Sequence, residues 1–256
     1  MLREQTTYHE LLRALARRDL LVRYRQAALG IGWAVLSPLL HMLVFTLIFT
    51  RVVRLDTGLP YPVFAYAGLL PWALFATSLR TATTSLTGNT ALVTKVHFAR
   101  EVLPFSAMLV ALADFVVASS ILIVLMVWFK VGVTWTILAL PLVVAVQLAF
   151  TAGLALLLAM ANLFWRDVRH VVEVLLTVWM FLTSVVYPVE LIGGKLGPLL
   201  QLNPMTPIID GYRAVLLRGE LPAAGPFAGA AITAVAVLLV GWLVFHRAEP
   251  RFAENI

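Results

Sequence analysis

The sequence has no cysteine, few charges and no nucleotide-binding loop, and each absence removes a class of function. With no Cys in 256 residues, disulfide frameworks and thiolate-bound metals are excluded, and cysteine usage gives no signal of compartment. Charged residues make up 12% of the chain against 61% apolar, with a mean hydropathy of +0.94. A soluble domain carries about a quarter charged residues, so the composition is that of an integral membrane protein. No G-x-x-x-x-G-K-[ST] occurs; "IGGKLG" at 192–197 lacks the earlier Gly and the following Ser or Thr, so ATP binding through a P-loop is excluded. The five His are scattered, with no H-E-x-x-H and no acids paired at metal spacing, and no metal site is expected. The first 30 residues hold six Arg and no apolar h-region, so no cleavable signal peptide is expected. The net charge of +6 is not arranged as a stripe with interleaved aromatics, which favours anionic lipid head groups over nucleic acid as the partner.

What is present is a series of long apolar runs. About 20 mostly apolar residues cross a bilayer as a helix, and six runs qualify: 32–50, 62–79, 105–129, 135–164, 171–187 and 227–245. The expected fold is all-α, a single transmembrane domain over 1–256: an interface helix in 1–31, six spans in 32–245 and a tail in 246–256. Of 19 Lys and Arg, only Arg51, Arg54, Lys130, Lys195, Arg213 and Arg218 fall outside if the N-terminus is inside. The positive-inside rule then puts both termini in the cytoplasm.

That orientation makes "WRDVRH" (165–170) a tight inner turn, with Arg169 and Glu173 spaced to pair on one helical face. It is either a solvated turn or a contact for a cytoplasmic partner. In "YHELLRALARRDLLVRYRQAALG", Tyr8, Leu11, Leu12 and Leu15 share one face and Glu10, Arg13 and Arg17 another. This predicts a helix lying in the interface, either as a topology anchor or with Arg23 and Arg25 binding an anionic lipid-linked substrate through their planar forks. The inner loop 80–104 holds a Gly88-Asn89 turn and a short helix from Thr90 to Val96, either a connector or a docking knob. On the outer side, Pro204 and Pro207 precede a helical run at 208–217 that is too short to span. A re-entrant or interfacial segment fits, with Asp210 and Arg213 spaced to pair.

Asp114 stands alone in the third run. A lone charge at helix centre costs about 2.5–3.5 kcal/mol, so it faces protein or water or is protonated. A structural hydrogen bond is expected, with His41 of the first run a candidate partner; a proton relay is the alternative. Trp33, Trp72, Phe75, Trp179 and Tyr187 suit either interface belts or a path on which sugar rings stack. Gly225 to Gly229 form a G-x-x-x-G, a weak packing signal. No internal repeat is visible, which counts modestly against the common secondary-transporter folds.

Several stretches together resemble the membrane subunit of ABC exporters for polysaccharides, the group serving O-antigen, capsule and teichoic acid. They are "RDLLVRYRQAALGIGWAVLSPLL", "YPVFAYAGLLPWALFATSL", "GNTALVTKVHFAREVLPFS", "ADF", "NLFWRDVRHVV", "YPV", "LNPMTPIIDGYR" and "FHRAEPRFAENI". They run in family order over nearly the whole chain. The resemblance implies a homodimer of six-span subunits with two separate ABC ATPase subunits beneath, ATP and Mg²⁺ being bound by those partners and no cofactor by this chain. It implies that Lys95, Arg100 and Glu101 sit in the coupling segment that docks on the ATPase, with Arg166, Asp167 and Arg169 on the same face. Arg23 and Arg25 would flank the lipid entry, and Pro204, Asp210 and Arg213 would belong to the outer gate. The implied substrate is a lipid-diphosphate-linked polysaccharide, and the implied location is the bacterial inner membrane. Ala99, where many relatives carry Pro, departs from the pattern. The rival functions are export of a drug or simple lipid by the same class, and proton-coupled transport through Asp114.

Overall fold

The computed structural model describes residues 2–25, 30, 32–52, 58–95, 98–188 and 202–254, and among these there are helices and no strands. In order they are α1 (Leu2–Tyr24), α2 (Gly32–Leu47, extended by a π turn), α3 (Tyr61–Thr83), α4 (Thr90–Lys95), α5 (Val102–Trp128), α6 (Leu140–Phe164), α7 (Val168–Phe181), α8 (Met205–Arg213, extended by a π turn) and α9 (Ala224–Ala248, followed by a 3₁₀ segment, Glu249–Glu254).

Five of the six apolar runs form helices long and apolar enough to cross a membrane, on α2, α3, α5, α6 and α9. The run at 171–187 differs. Its helix, α7, has 14 residues, about 21 Å at 1.5 Å per residue against a hydrocarbon core of about 30 Å. The chain then leaves the helix for turns at 182–187, whose carbonyls are taken up by other elements.

The packing order follows from which helices can lose all their surface. On α3, 83% of its span window is buried, against 6% on α2, 28% on α5 and 22% on α9. So α3 is the central helix, with α5, α6 and α2 around it. The outer helices carry the exposed large apolar side chains, including Val116, Ile123 and Val127 of α5 and Ile232, Val235 and Leu239 of α9. A row of this kind has its proper solvent in lipid tails rather than water.

Pro60 and Pro62 start α3, the latter in its first turn, where a missing N–H costs no helical bond. Pro71 lies inside α3, and its carbonyl accepts a bond from Gln147 Nε2 at 2.7 Å. Gln147 in turn accepts from the Tyr212 hydroxyl at 2.6 Å, so one buried amide ties α3, α6 and α8. The closest helix contact is α6 against α9. A Cβ on Gly153 would lie 2.5 Å from the Val237 carbonyl, and one on Gly241 would strike the Gly153 carbonyl. These two glycines, far apart in sequence, perform the close packing expected of Gly225 and Gly229, beside which a Cβ meets nothing within 4 Å.

The helix ends define two ends of the bundle. One gathers α1, residues 84–95 and 98–101, the 165–167 turn and the segment after α9. There Tyr8, Leu11, Leu12 and Leu15 of α1 pack against Val93, Val102, Leu163, Phe245 and Phe252. The apolar face predicted for α1 is thus matched by protein, while Glu10, Arg13 and Arg17 stay exposed. The opposite end gathers α8, the 182–187 turns and the start of α3.

Candidate functional site: an entry pocket and a docking surface

Where the C-terminal end of α1 meets α2, α3 and α5 there is a cavity of about 360 Å³ lined by Arg23, Tyr24, Trp33, Ser37, Thr77 and Asp114 among others. Asp114 lies twelve residues into α5, about 18 Å along the helix. Its carboxylate accepts from Arg23 Nη1 at 2.7 Å and from the Tyr24 hydroxyl at 2.5 Å. The side chains are 30% and 18% exposed for Arg23 and Asp114, so the ion pair sits at the pocket wall and still meets the opening. Burial and the neighbouring carboxylate push the Tyr24 hydroxyl up to about 12. Asp114 therefore has its structural partner, but it is Arg23 rather than His41. The His41 ring bonds the Ser37 carbonyl on its own helix at 2.7 Å and is exposed, because α2 turns that face outward. Arg25 is exposed next to Arg23, and Trp33 is 48% exposed at the pocket rim.

At the first end of the bundle, the residues expected to couple to a partner divide into two groups. Arg166 and Arg169 line one groove of about 440 Å³ together with Thr84, Thr87, Gly88 and Thr90. Asn162 joins the two walls: its Nδ2 donates to Thr87 Oγ1 at 3.2 Å and its Oδ1 accepts the Arg169 N–H at 3.2 Å. Arg166, Asp167 and Arg169 are exposed. The pairing of Arg169 with Glu173 does not form; Glu173 accepts from Arg80 of α3 at 2.8 Å.

Arg100 and Glu101 instead turn into the protein. Arg100 Nη1 donates to the Glu249 carbonyl at 2.5 Å, its Nη2 to the Val93 carbonyl at 3.3 Å, and its guanidinium lies 5.9 Å from the Phe252 ring centre. Glu101 is 6% exposed, and burial raises its carboxyl above the usual range. These two hold the tail against the loop rather than presenting charge to a neighbour. Lys95 ends α4, and its side chain lies outside the described residues. Burial and the Glu101 charge raise Tyr8, on the same cluster, to about 12.

The aromatic candidates also divide. Trp72 and Phe75 are 6% and 0% exposed. Phe75 stacks on Phe150 with ring centres 5.8 Å apart and meets Trp179 edge-on at 5.2 Å. Phe150 was not among the residues picked out by sequence, since nothing in an apolar run shows which Phe faces another. Trp72 and Phe75 are core here and line no path; Trp179, whose indole N–H donates to Asn203 Oδ1 at 3.0 Å, and Tyr187, whose hydroxyl bonds the Phe181 carbonyl, keep partial exposure.

At the opposite end, the expected pairing of Asp210 with Arg213 is replaced. Asp210 takes a two-pronged bond from Arg218 at 3.0 and 3.1 Å. Arg213, 2% exposed, donates to the carbonyls of Ser184 and Val185 at 2.6 Å and of Phe64 at 3.3 Å, and lies 3.7 Å from the Phe64 ring centre. A helix turn separates Asp210 from Arg213, but the non-helical 182–187 segment offers Arg213 stronger acceptors. A Cβ on Gly68 would collide with Arg213 and with the Val185 carbonyl, so the guanidinium site exists only because residue 68 is Gly. Pro204 stands at the N-cap position of α8. The preceding outer stretch, including Lys195, lies outside the described residues.

These features define a class: an all-helical, multi-span membrane protein with a basic amphipathic helix at one end, a pocket beside it and a separate polar groove. The ABC-2 type transporter family model matches residues 10–217, and the chain belongs to that family, whose subunits are transport components. Over its full length the chain is 38% identical to the O-antigen export system permease protein RfbA of Myxococcus xanthus, covering 99% of that protein. It is 29% identical to a protein of the same name from Klebsiella pneumoniae, with 96% of this chain and 94% of the other covered. It is 24% identical to the polysialic acid transport protein KpsM of Escherichia coli, with 92% of each covered.

Proposed function

We propose that this chain is the permease subunit of an ATP-driven exporter that moves a lipid-linked polysaccharide of the O-antigen kind out across the inner membrane. It works as a homodimer above two ABC ATPase subunits that bind ATP and Mg²⁺, with both termini in the cytoplasm. The observation that carries the substrate class is the end-to-end match to an O-antigen export permease at 38% identity. The pocket geometry fits that substrate. Arg23 and Arg25 meet the diphosphate of the lipid anchor at the inner leaflet, and Arg supplies the two-pronged donor that phosphate accepts. In the resting arrangement Asp114 holds Arg23, and the Tyr24 hydroxyl holds Asp114. The anchor phosphate then competes with a carboxylate already in place, so Arg23 has a satisfied state with and without substrate. ATP binding draws the ATPases together against the groove formed by Thr84–Thr90 and Arg166–Arg169, and that displacement shifts the two subunits apart along the path. The chain provides pathway and gate; ATP hydrolysis belongs to the partner.

The test is purification in nanodiscs with the ATPase encoded beside it. The expected result is a two-plus-two complex whose ATP turnover responds to lipid-linked glycan, the response being lost in Arg166→Glu/Arg169→Glu while the complex's monodispersity remains. A chain that purifies without an ATPase and moves solute down a proton gradient would overturn the proposal.

A further inference from the structure

Residues 101, 246 and 249 are far apart in sequence, yet a ligating atom of each of Glu101, His246 and Glu249 lies within 4.8 Å of the other two, the one such group of three among the described residues. Glu101 comes from the residue before α5, His246 from the last turn of α9 and Glu249 from the segment after it. Helix packing, not sequence spacing, brings them together.

Two further observations show that this is more than a meeting of acids. Glu101 is 94% buried by its 6% exposure, and its Oε2 has no hydrogen-bond partner; it faces His246 Nε2 at 3.7 Å. The His246 ring is meanwhile oriented from behind. Its Nδ1 lies 2.9 Å from the Trp242 carbonyl, and because a carbonyl oxygen only accepts, Nδ1 carries the proton in that bond. Nε2 of the neutral ring then presents a lone pair. The Trp242 ring, with centres 4.2 Å apart, fixes the imidazole plane. With the ring neutral, two acceptors face each other at 3.7 Å, too long for a hydrogen bond, one of them on a buried carboxylate. A proton on one of them or a cation between them satisfies the pair.

The spacing and chemistry fit a metal ion. Two ligands bound at about 2.0–2.1 Å at a tetrahedral angle are about 3.4 Å apart, close to the distance between Oε2 and Nε2. A ring N–H held by a backbone carbonyl is the usual way a ligating His is oriented. Two carboxylates and a neutral imidazole carry a charge of −2, which one divalent ion cancels. The imidazole favours a transition metal over Mg²⁺ or Ca²⁺. The His246 side chain is 35% exposed, which leaves an approach for the ion and an open position for water. Arg100 does not occupy the site: its guanidinium binds the Glu249 main-chain carbonyl, and its backbone N–H reaches Glu249 Oε1 at 3.3 Å.

We propose that Glu101, His246 and Glu249 bind a divalent transition metal, with Zn²⁺ the fitting ion, and that the ion staples the loop before α5 to the segment after α9. The consequence is structural control at the end of the bundle that carries the docking groove: with metal bound, the tail and the loop move as one body. The site asks nothing of the transported substrate and stands or falls independently of the exporter assignment.

The test uses the tag-free chain in nanodiscs, stripped with chelator and titrated with Zn²⁺ against a fluorescent chelator. Co²⁺ is added in parallel for its visible absorption, which reports nitrogen and oxygen ligands directly. The expected result is one Zn²⁺ per chain, a rise in melting temperature on loading, and at least 100-fold weaker binding in His246→Ala and in Glu249→Gln. Glu101→Gln is expected to do the same; should that buried variant fail to fold, His246→Ala, at a part-exposed position, carries the test. Saturable binding unchanged by His246→Ala and Glu249→Gln, or no saturable binding of Zn²⁺ or Co²⁺, overturns the proposal.

Discussion

The pairing of Arg23 with Asp114 invites a double-mutant cycle, because the two sit 91 residues apart and on different helices. Three variants are needed: Arg23→Gln, Asp114→Asn and both together. Removing Arg23 leaves a mostly buried carboxylate with only the Tyr24 hydroxyl, and stranding one partner of a buried pair costs about 3–5 kcal/mol. Asp114 is 18% exposed, and the pocket admits water, so the expected loss falls below that range, about 2–3 kcal/mol. Asp114→Asn removes the charge and leaves a single acceptor oxygen where Arg23 and Tyr24 now use one each, so it costs about 1–2 kcal/mol, the loss of one hydrogen bond to a charged acceptor. With neither charge present there is nothing to strand, and the double variant is expected to be more stable than Arg23→Gln alone. The coupling energy should then exceed the Asp114→Asn loss of about 1–2 kcal/mol, well outside the about 0.3–0.5 kcal/mol within which independent sites add. The assay is denaturant unfolding in a fixed detergent, with glycan export measured in the same four proteins. If the losses add, the contact does not carry energy and the pocket is not built as described. If Asp114→Asn abolishes solute movement that needs no ATPase, Asp114 is a proton carrier and not a holder of Arg23.

Arg213→Ala is expected to destabilise by about 3–5 kcal/mol, since it strands the buried carbonyls of Phe64, Ser184 and Val185 and opens a void beside Phe64; a melting temperature within a degree or two of the parent's would refute this. Gly153→Leu should separate α6 from α9, because even a Cβ meets the Val237 backbone at 2.5 Å; loss of monodispersity in size-exclusion checks it, with Gly225→Leu, in open space, as the tolerated control. For pH, the Tyr24 hydroxyl at about 12 keeps its proton in the folded state while the unfolded chain loses it near 10. The folded state binds more protons in that window, so stability contributed by Tyr24 is complete below pH 10 and falls as pH rises toward 12. Tyrosinate absorbance during alkaline titration reads this directly, and Tyr24→Phe should remove one late-titrating group.

Hydropathy and charge along the chain were enough to assign the solvent of this protein and the order of its parts. Runs of apolar residues, a short helix starting at Thr90, an amphipathic α1 with Leu15 on its apolar face, a turn within 165–170 and a short helix following the Pro204–Pro207 stretch are all readable because each depends on residues within one or two turns of one another. Hydropathy and helical period are local quantities. The family likewise followed from motifs in order along the chain.

Which residue meets which was decided by tertiary structure. Asp114 was legible as a charge that needed a partner, but the choice of Arg23 over His41 depends on how α1 crosses α5 and on which way α2 is rotated. Arg213 lay at a good spacing for Asp210 and was drawn instead into the carbonyls of 182–187, a segment that reads as a span by composition and ends as turns. The glycines that mattered, Gly153 and Gly241, belong to no motif within either helix; their meaning is in the distance between two backbones. Glu101, His246 and Glu249 looked unrelated for the same reason. Local pattern fixes what each segment is made to bury, while rotation and tilt about axes set by all the helices at once decide what it is buried against.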